Sequence, residues 1–408
     1  MARLSPGGLR VLVTAASSRL GGLVVAGLEE HPGVATVIAV DHRPPAAPFA
    51  SAEFVRLGEA YTQLPRVVRG AGVEVLLDLR AAAALSPLDD AALAGHGPVT
   101  DRIVEACIAG ASPVRRLVSV GSVHRFGWHR DLPAFVTEET EAPGPPRGRL
   151  QIALAEIEAA AVGATARHGA LDLSLIRLAD PVGPAGSGLL QAADRLPVMP
   201  TVLGFDPSVQ VVHEEDAARA VAHVVGGSLV GPYLVAADGT LALTEALREL
   251  GRAYAPLLPP WGTGLLAHVL ERSGLRTAHD LAGQLRHGRG IDNRRLKATG
   301  FSYRATTREA LRSASGVRRR RRTLASGAVD AYEPEVEAFL RYSPSARSAG
   351  ADGERDEADG IAALEVERLL ELLPSLDPDA LRALRAHEDG GPGRRRILDE
   401  IDLLLDGR

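Results

Sequence analysis

The chain holds one cysteine, Cys107, in 408 residues, which excludes an intramolecular disulfide and points to a reducing, cytoplasmic compartment. It holds one lysine, Lys297; arginine supplies the rest of its 46 Lys and Arg residues, as a GC-rich coding sequence would. No uninterrupted apolar run approaches the roughly 20 residues that span a bilayer, so no transmembrane segment is expected. Met1–Gly8 lacks the basic-then-apolar pattern of a secretory leader. A net charge of -5 gives no reason to expect a nucleic acid partner.

What is present is ordinary for a globular protein: 46% hydrophobic and 24% charged residues, with length enough for two domains and a tail. Arg10–Thr14, Val37–Asp41, Glu53–Leu57, Val73–Leu77, Arg116–Val120 and Leu173–Arg177 read as short Val- and Leu-rich strands. Helical patterns near Leu20–Glu30 and Arg102–Ile108 lie between them. This alternation predicts an α/β fold, a Rossmann-type doubly wound parallel sheet, over residues 1–182. From Gly183, Pro- and Gly-rich loops, a helix near Asp216–Val225 and the apolar stretch Leu257–Leu270 predict a smaller C-terminal substrate lobe with returning core elements, residues 183–312. Residues 313–360 read as a polar linker that carries Arg318–Arg322 and is most linker-like over Ser343–Asp359. Residues 361–408 read as a helical tail. Leu364, Leu369, Leu370 and Leu373 form an apolar stripe, Asp377-Pro378 starts a helix, and Gly390–Gly393 separates it from a last one over Arg395–Leu405.

Thr14-Ala15-Ala16-Ser17-Ser18-Arg19-Leu20-Gly21 joins the first strand to the first helix. A phosphate-cradling loop belongs there, because a helix N-terminus offers free N–H groups and positive partial charge. Glycines spaced by three would fall at 15, 18 and 21, and only Gly21 is kept. A side chain at Ser18 is expected to push phosphate away unless its hydroxyl donates to it. Asp41, closing the second strand, is placed to accept from a ribose 2′-OH and to repel a 2′-phosphate, which favours NAD over NADP. Arg43 weakens that preference. In the competing reading Asp41 merely caps a turn.

With these segments in place, the chain resembles the extended short-chain dehydrogenase/reductases, the NAD-dependent epimerase/dehydratase family. The likeness is greatest to its sugar-nucleotide 4-epimerase-like members of actinobacteria and runs from about Leu9 to Leu311. Thr14–Gly21 matches the cofactor loop. Leu76–Ala81 looks like the fourth-strand segment flanking the cofactor, which adds Leu79 and Arg80 to the expected cofactor contacts. Arg116–Gly127 is similar to the fifth strand and active-site serine loop, Arg177–Pro184 to the substrate-loop signature, and Val211–Ala220 to a further family stretch. The resemblance implies NAD as cofactor, a nucleotide-sugar ligand and a homodimer.

In that family a serine orients the substrate oxygen, a tyrosine is the acid/base, and a lysine lowers the tyrosine pKa from near 10. Ser122 occupies the serine slot. The resemblance places Leu150 where the tyrosine belongs and Leu154 where the lysine belongs. None of the tyrosines, 61, 233, 254, 303, 332 and 342, has a lysine four residues later. Gly58 also replaces an acidic residue that the family often places near adenine.

Without a base, Ser122 is expected to line a pocket more than to react. His124 has the right pKa range for a substitute acid/base, but a loop histidine without an evident partner is expected to be solvated. His213, Glu214, Glu215 and Asp216 are expected to cap a helix rather than bind metal. Three functions stay open: a dinucleotide-binding protein with degraded or altered catalysis, an active epimerase or reductase with substitute groups, or an interaction protein that engages a partner through its C-terminal helices. The first is preferred.

Overall fold

Alternate residues of a short apolar run face opposite sides of a sheet, so runs buried on both faces need a helical layer above and below. The computed structural model describes residues 8–83, 96–183, 198–258, 278–315, 370, 381–382, 385, 388–389 and 394–406, and it has this arrangement. Seven strands, β1 (Leu9–Thr14), β2 (Val34–Asp41), β3 (Glu53–Arg56), β4 (Val75–Asp78), β5 (Arg116–Ser122), β6 (Asp172–Leu178) and β7 (Gly231–Val235), form one sheet. Their order is β7-β6-β5-β4-β1-β2-β3, and every pair is parallel.

Val11 and Val13 of β1 face a layer that includes α1 (Arg19–Glu29), whereas Leu12 joins Leu76, Leu117 and the helices α2 (Leu64–Gly70) and α3 (His96–Ile108). A third apolar cluster gathers Leu150, Leu154 and Ile157 of α4 (Arg149–Arg167) with Val182, Met199, Val211, Leu247 and Leu311. It joins one edge of α4 to the elements that follow the sheet.

The seventh strand arises inside the range read from the sequence as substrate lobe. Its opening Gly231-Pro232 interrupts the apolar pattern, and an edge strand is where proline is tolerated. Glu138 covers part of that edge by accepting from Leu234 N–H at 3.1 Å.

The chain divides into two compact units, Met1–Arg320 and Arg321–Arg408. In the second, the helix Arg395–Asp406 buries Ile397 and Ile401, and a buried Glu388 accepts from Arg394 Nε at 3.0 Å. Residues 184, 259–270, 318–322, 343–359, 364, 369, 373, 377–378 and 390–393, on which several of the sequence expectations fall, lie outside the described residues. Among the described residues, no helix is long and apolar enough to cross a membrane.

Candidate functional site

Strand order reverses between β1 and β4, and at such a switch point the connections leave in opposite directions and open a crevice at the carboxyl ends. The crevice is bounded by the loop after β1, the end of β2 and the turn after β4. Ala15 takes φ +51°, the left-handed conformation that the first glycine slot demands, at a strain of about 1–2 kcal/mol for alanine. Ser18 is the N-cap of α1. Its Oγ accepts from Gly21 N–H at 3.0 Å and donates to Ala15 O at 2.7 Å. Its hydroxyl is therefore turned into the loop, where it donates to one backbone group and accepts from another. Gly21 is obligatory: a β-carbon there would stand 2.2 Å from Ala15 O. Leu20 is buried, and Arg19 reaches across to the buried Glu214 at 2.9 Å.

Asp41 is buried and closes the loop. Its Oδ2 accepts from Ser17 N–H at 3.0 Å; its Oδ1 accepts from His42 N–H at 2.7 Å and Arg43 N–H at 3.3 Å. His42 Nδ1 lies 2.9 Å from the same Oδ1. Ser17 Oγ donates to Arg43 O at 2.7 Å, so the loop and the turn after β2 are tied at two points. Tyr61, also buried, has its phenol pushed up by burial and by the Asp41 charge, partly offset by a hydrogen bond from the Ala15 backbone.

The turn after β4 is held by Asp78. Thr14 Oγ1 donates to it at 2.8 Å and also accepts from Leu79 N–H at 3.1 Å. Arg80 grips the carboxylate with Nε at 2.9 Å and Nη2 at 2.8 Å, and reaches Thr100 Oγ1 at 3.1 Å. Burial alone would raise the Asp78 pKa, but the Arg80 guanidinium and these hydrogen bonds outweigh it and hold the carboxyl low. The structure thus brings Thr14 and Asp78–Arg80 together with the loop, while the Leu79 side chain is wholly buried and Arg80 is committed to Asp78. Cys107 sits beneath, where burial and the Asp78 charge push its thiol up to about 12, so it stays an unreactive thiol.

Further along the crevice, Ser122 ends β5. It is buried, and its Oγ accepts from His124 N–H at 3.3 Å. His124 is a correction: it is buried rather than solvated. Trp128 Nε1–H donates to its Nδ1 at 2.9 Å, which places the ring proton on Nε2, 2.8 Å from Asp180 Oδ1. Gln284, in α6 (Ala278–His287), donates to the other Asp180 oxygen at 3.3 Å. Both imidazole nitrogens are engaged, so the ring has no lone pair directed at a substrate. Asp180 falls within the Arg177–Pro184 signature; nothing in the sequence marks Gln284 or Trp128.

Leu150 and Leu154 are buried on the face of α4 turned to β5. One turn on, Glu158 receives Arg177 Nε at 3.0 Å and Nη2 at 2.7 Å, with Arg125 Nε 3.0 Å away. Leu154, Glu158, Arg125 and Arg177, with Ser119 and Ser122, line a recess of about 10 Å³, room for about one water. In the Val211–Ala220 stretch, His213 caps α5 (Glu214–Gly226), and Asp216 Oδ2 accepts from Arg304 and Ala305 N–H at 2.8 and 3.0 Å.

No family model matches the chain. An uncharacterized protein of Mycobacterium tuberculosis (strain ATCC 25618 / H37Rv) is 29% identical over 309 residues, covering 74% of this chain and 81% of the relative. Among solved structures, dTDP-glucose 4,6-dehydratase from Bacillus anthracis in complex with NAD is similar at TM-score 0.55 and 14% identity, over 77% of this chain and 97% of that one. The chain has the epimerase/dehydratase fold of the short-chain dehydrogenase/reductases. A human epimerase family protein with NADPH shares the fold at TM-score 0.55 and 18% identity, over 76% of this chain and 99% of that one. One of these neighbours was solved with NAD and the other with NADPH.

Proposed function

We propose that the protein binds a nicotinamide dinucleotide, and a nucleotide sugar beside it, without the standard tyrosine and lysine acid/base pair, in a regulatory or otherwise non-standard role. The observation that carries the reading is a contrast within one crevice: the loop after β1 keeps Gly21 and the left-handed turn at residue 15, while the positions that the resemblance gives to the acid/base pair hold the packed Leu150 and Leu154.

The residues present fit the cofactor. The N–H groups of Arg19 and Leu20 open α1 at its positive end, with Ser18 as its N-cap. A bound nicotinamide would accept and return a hydride. Around it Ser122 would orient a substrate oxygen, and the apolar packing of Leu150 and Leu154 would exclude water. His124 is not poised to take a proton from that oxygen, because it is held by Trp128 and Asp180. That occupied ring also weighs against an active enzyme with histidine as the substitute acid/base.

The test is a fluorescence titration of purified protein with NADH and NADPH, with Gly21→Ala as control. Saturable binding lost in the variant supports the reading. Absence of binding by the wild-type chain to either form overturns it.

A further inference from the structure

We infer that Glu214 is a positioning residue for the dinucleotide site, engaging the one cation that the loop after β1 carries. A bound pyrophosphate then competes with Glu214 for the Arg19 guanidinium; this rests on the dinucleotide reading above. Arg19 is the sole charged residue of the Thr14–Gly21 loop. It is the first residue of α1, where a helix N-terminus meets an anion. Its side chain is committed elsewhere: Nη2 donates to Glu214 Oε1 at 2.9 Å, 195 residues further along the chain. The other arginine of this end of the crevice, Arg80, grips Asp78.

The two partners differ in freedom. The Glu214 side chain is 4% exposed and the Arg19 side chain 55%. Glu214 opens α5 behind the His213 N-cap, and α5 packs on α1 through Ala217, Ala218 and Val221 against Val24 and Val25. Its carboxyl group also stands against Gly183: a β-carbon there would lie 2.7 Å from Glu214 Cγ and Cδ and 3.0 Å from Oε1. The strands that lead to Gly183 and to Glu214, Asp180–Val182 and Val211–His213, are paired in parallel. The carboxylate is therefore fixed from both sides, and the arginine is the partner that can move. A free arginine would hold a diphosphate through charge-assisted hydrogen bonds. Paired with Glu214, it presents little net charge to an incoming anion. The loop is thus attenuated as an anion site, and its affinity is set from α5.

Fluorescence titration of the full chain with NADH tests this in Glu214→Gln, Arg19→Met and the double variant. Glu214→Gln keeps the shape and removes the charge. It is expected to bind NADH about three- to tenfold tighter, as one unit charge acting across partly screened space would allow, with a smaller gain in high salt. Arg19→Met is expected to weaken NADH by a similar factor. In the double variant the gain from Glu214→Gln disappears, because the contested cation is gone. Inorganic pyrophosphate, titrated as a competitor, follows the same order. Adenosine, which has no phosphate, is expected to bind all four proteins within about twofold, which a merely structural effect would not give. Equal or weaker NADH binding by Glu214→Gln, or a gain that survives in the double variant, overturns the competition and leaves the dinucleotide site standing. Should Glu214→Gln not fold, Arg19→Met decides alone: a loss confined to NADH and pyrophosphate supports the competition, and unchanged affinity overturns it. NADH binding by none of the proteins overturns both.

Discussion

Leu154 packs against Gly121: its Cδ2 lies 3.6 Å from where a β-carbon on that glycine would stand. The contact sits one residue from Ser122, and the leucine belongs to an apolar cluster with Leu150, Ile157 and Val182. A lysine there would bury an unpaired ammonium. Leu154→Lys is expected to lower unfolding free energy by roughly 3 kcal/mol or more, whereas Leu154→Met stays within about 1.5 kcal/mol. Urea unfolding of both variants checks this. Equal stability would mean that the position is open to water.

His124 and Asp180 form a buried pair fixed at both ends. Truncation by His124→Ala removes a buried hydrogen bond to the carboxylate and is expected to cost about 1–3 kcal/mol. Trp128→Phe removes one donor and is expected to cost about 1–3 kcal/mol. If His124→Ala instead retained full stability, the ring would have to be held for chemistry rather than structure.

Asp78 sets a pH dependence. Its folded pKa lies below the unfolded value, so its contribution is complete above about pH 4 and is lost as pH falls through the folded value. Arg80→Met removes the guanidinium that holds the carboxyl low. Burial then dominates and raises the pKa, so the sign reverses and the variant should gain stability as pH drops from 7 to 5. Melting temperatures at the two pH values read this directly. A variant that loses stability over that interval would show that Arg80 is not the controlling charge.

Asp41→Asn separates clasp from cofactor ligand. An amide nitrogen in place of one oxygen faces an N–H donor, so the variant is expected to lose about 1–3 kcal/mol of stability with no cofactor present. A residue serving only the cofactor would leave the unliganded protein unchanged, and thermal denaturation distinguishes the two.

The sheet was legible in the sequence because its strands are contiguous apolar runs, and six of the seven fall within a few residues of their expected places. β7 was hidden by Gly231-Pro232, whose strand character comes from pairing with β6 and not from local preference. The loop at Thr14–Gly21 was legible from its place between strand and helix. The inward turn of the Ser18 hydroxyl was not, because an N-cap serine and a phosphate-facing serine look alike in sequence. The partners of His124 were hidden for a different reason: Asp180 lies 56 residues from His124 in the sequence and Gln284 lies 104 residues from Asp180, and only the fold brings them together. The crowding at Asp41 is local, within three residues on one side, yet it depends on Ser17 arriving from another strand end.

The central claim is a bound dinucleotide without a working acid/base pair. Its most direct test mixes the protein, saturated with oxidised cofactor, with dTDP-glucose or UDP-glucose and follows the absorbance of reduced nicotinamide. The account predicts bound cofactor and no reduced nicotinamide over minutes. Reduction at about 1 s⁻¹ or faster, within the range of ordinary enzymes, would contradict it.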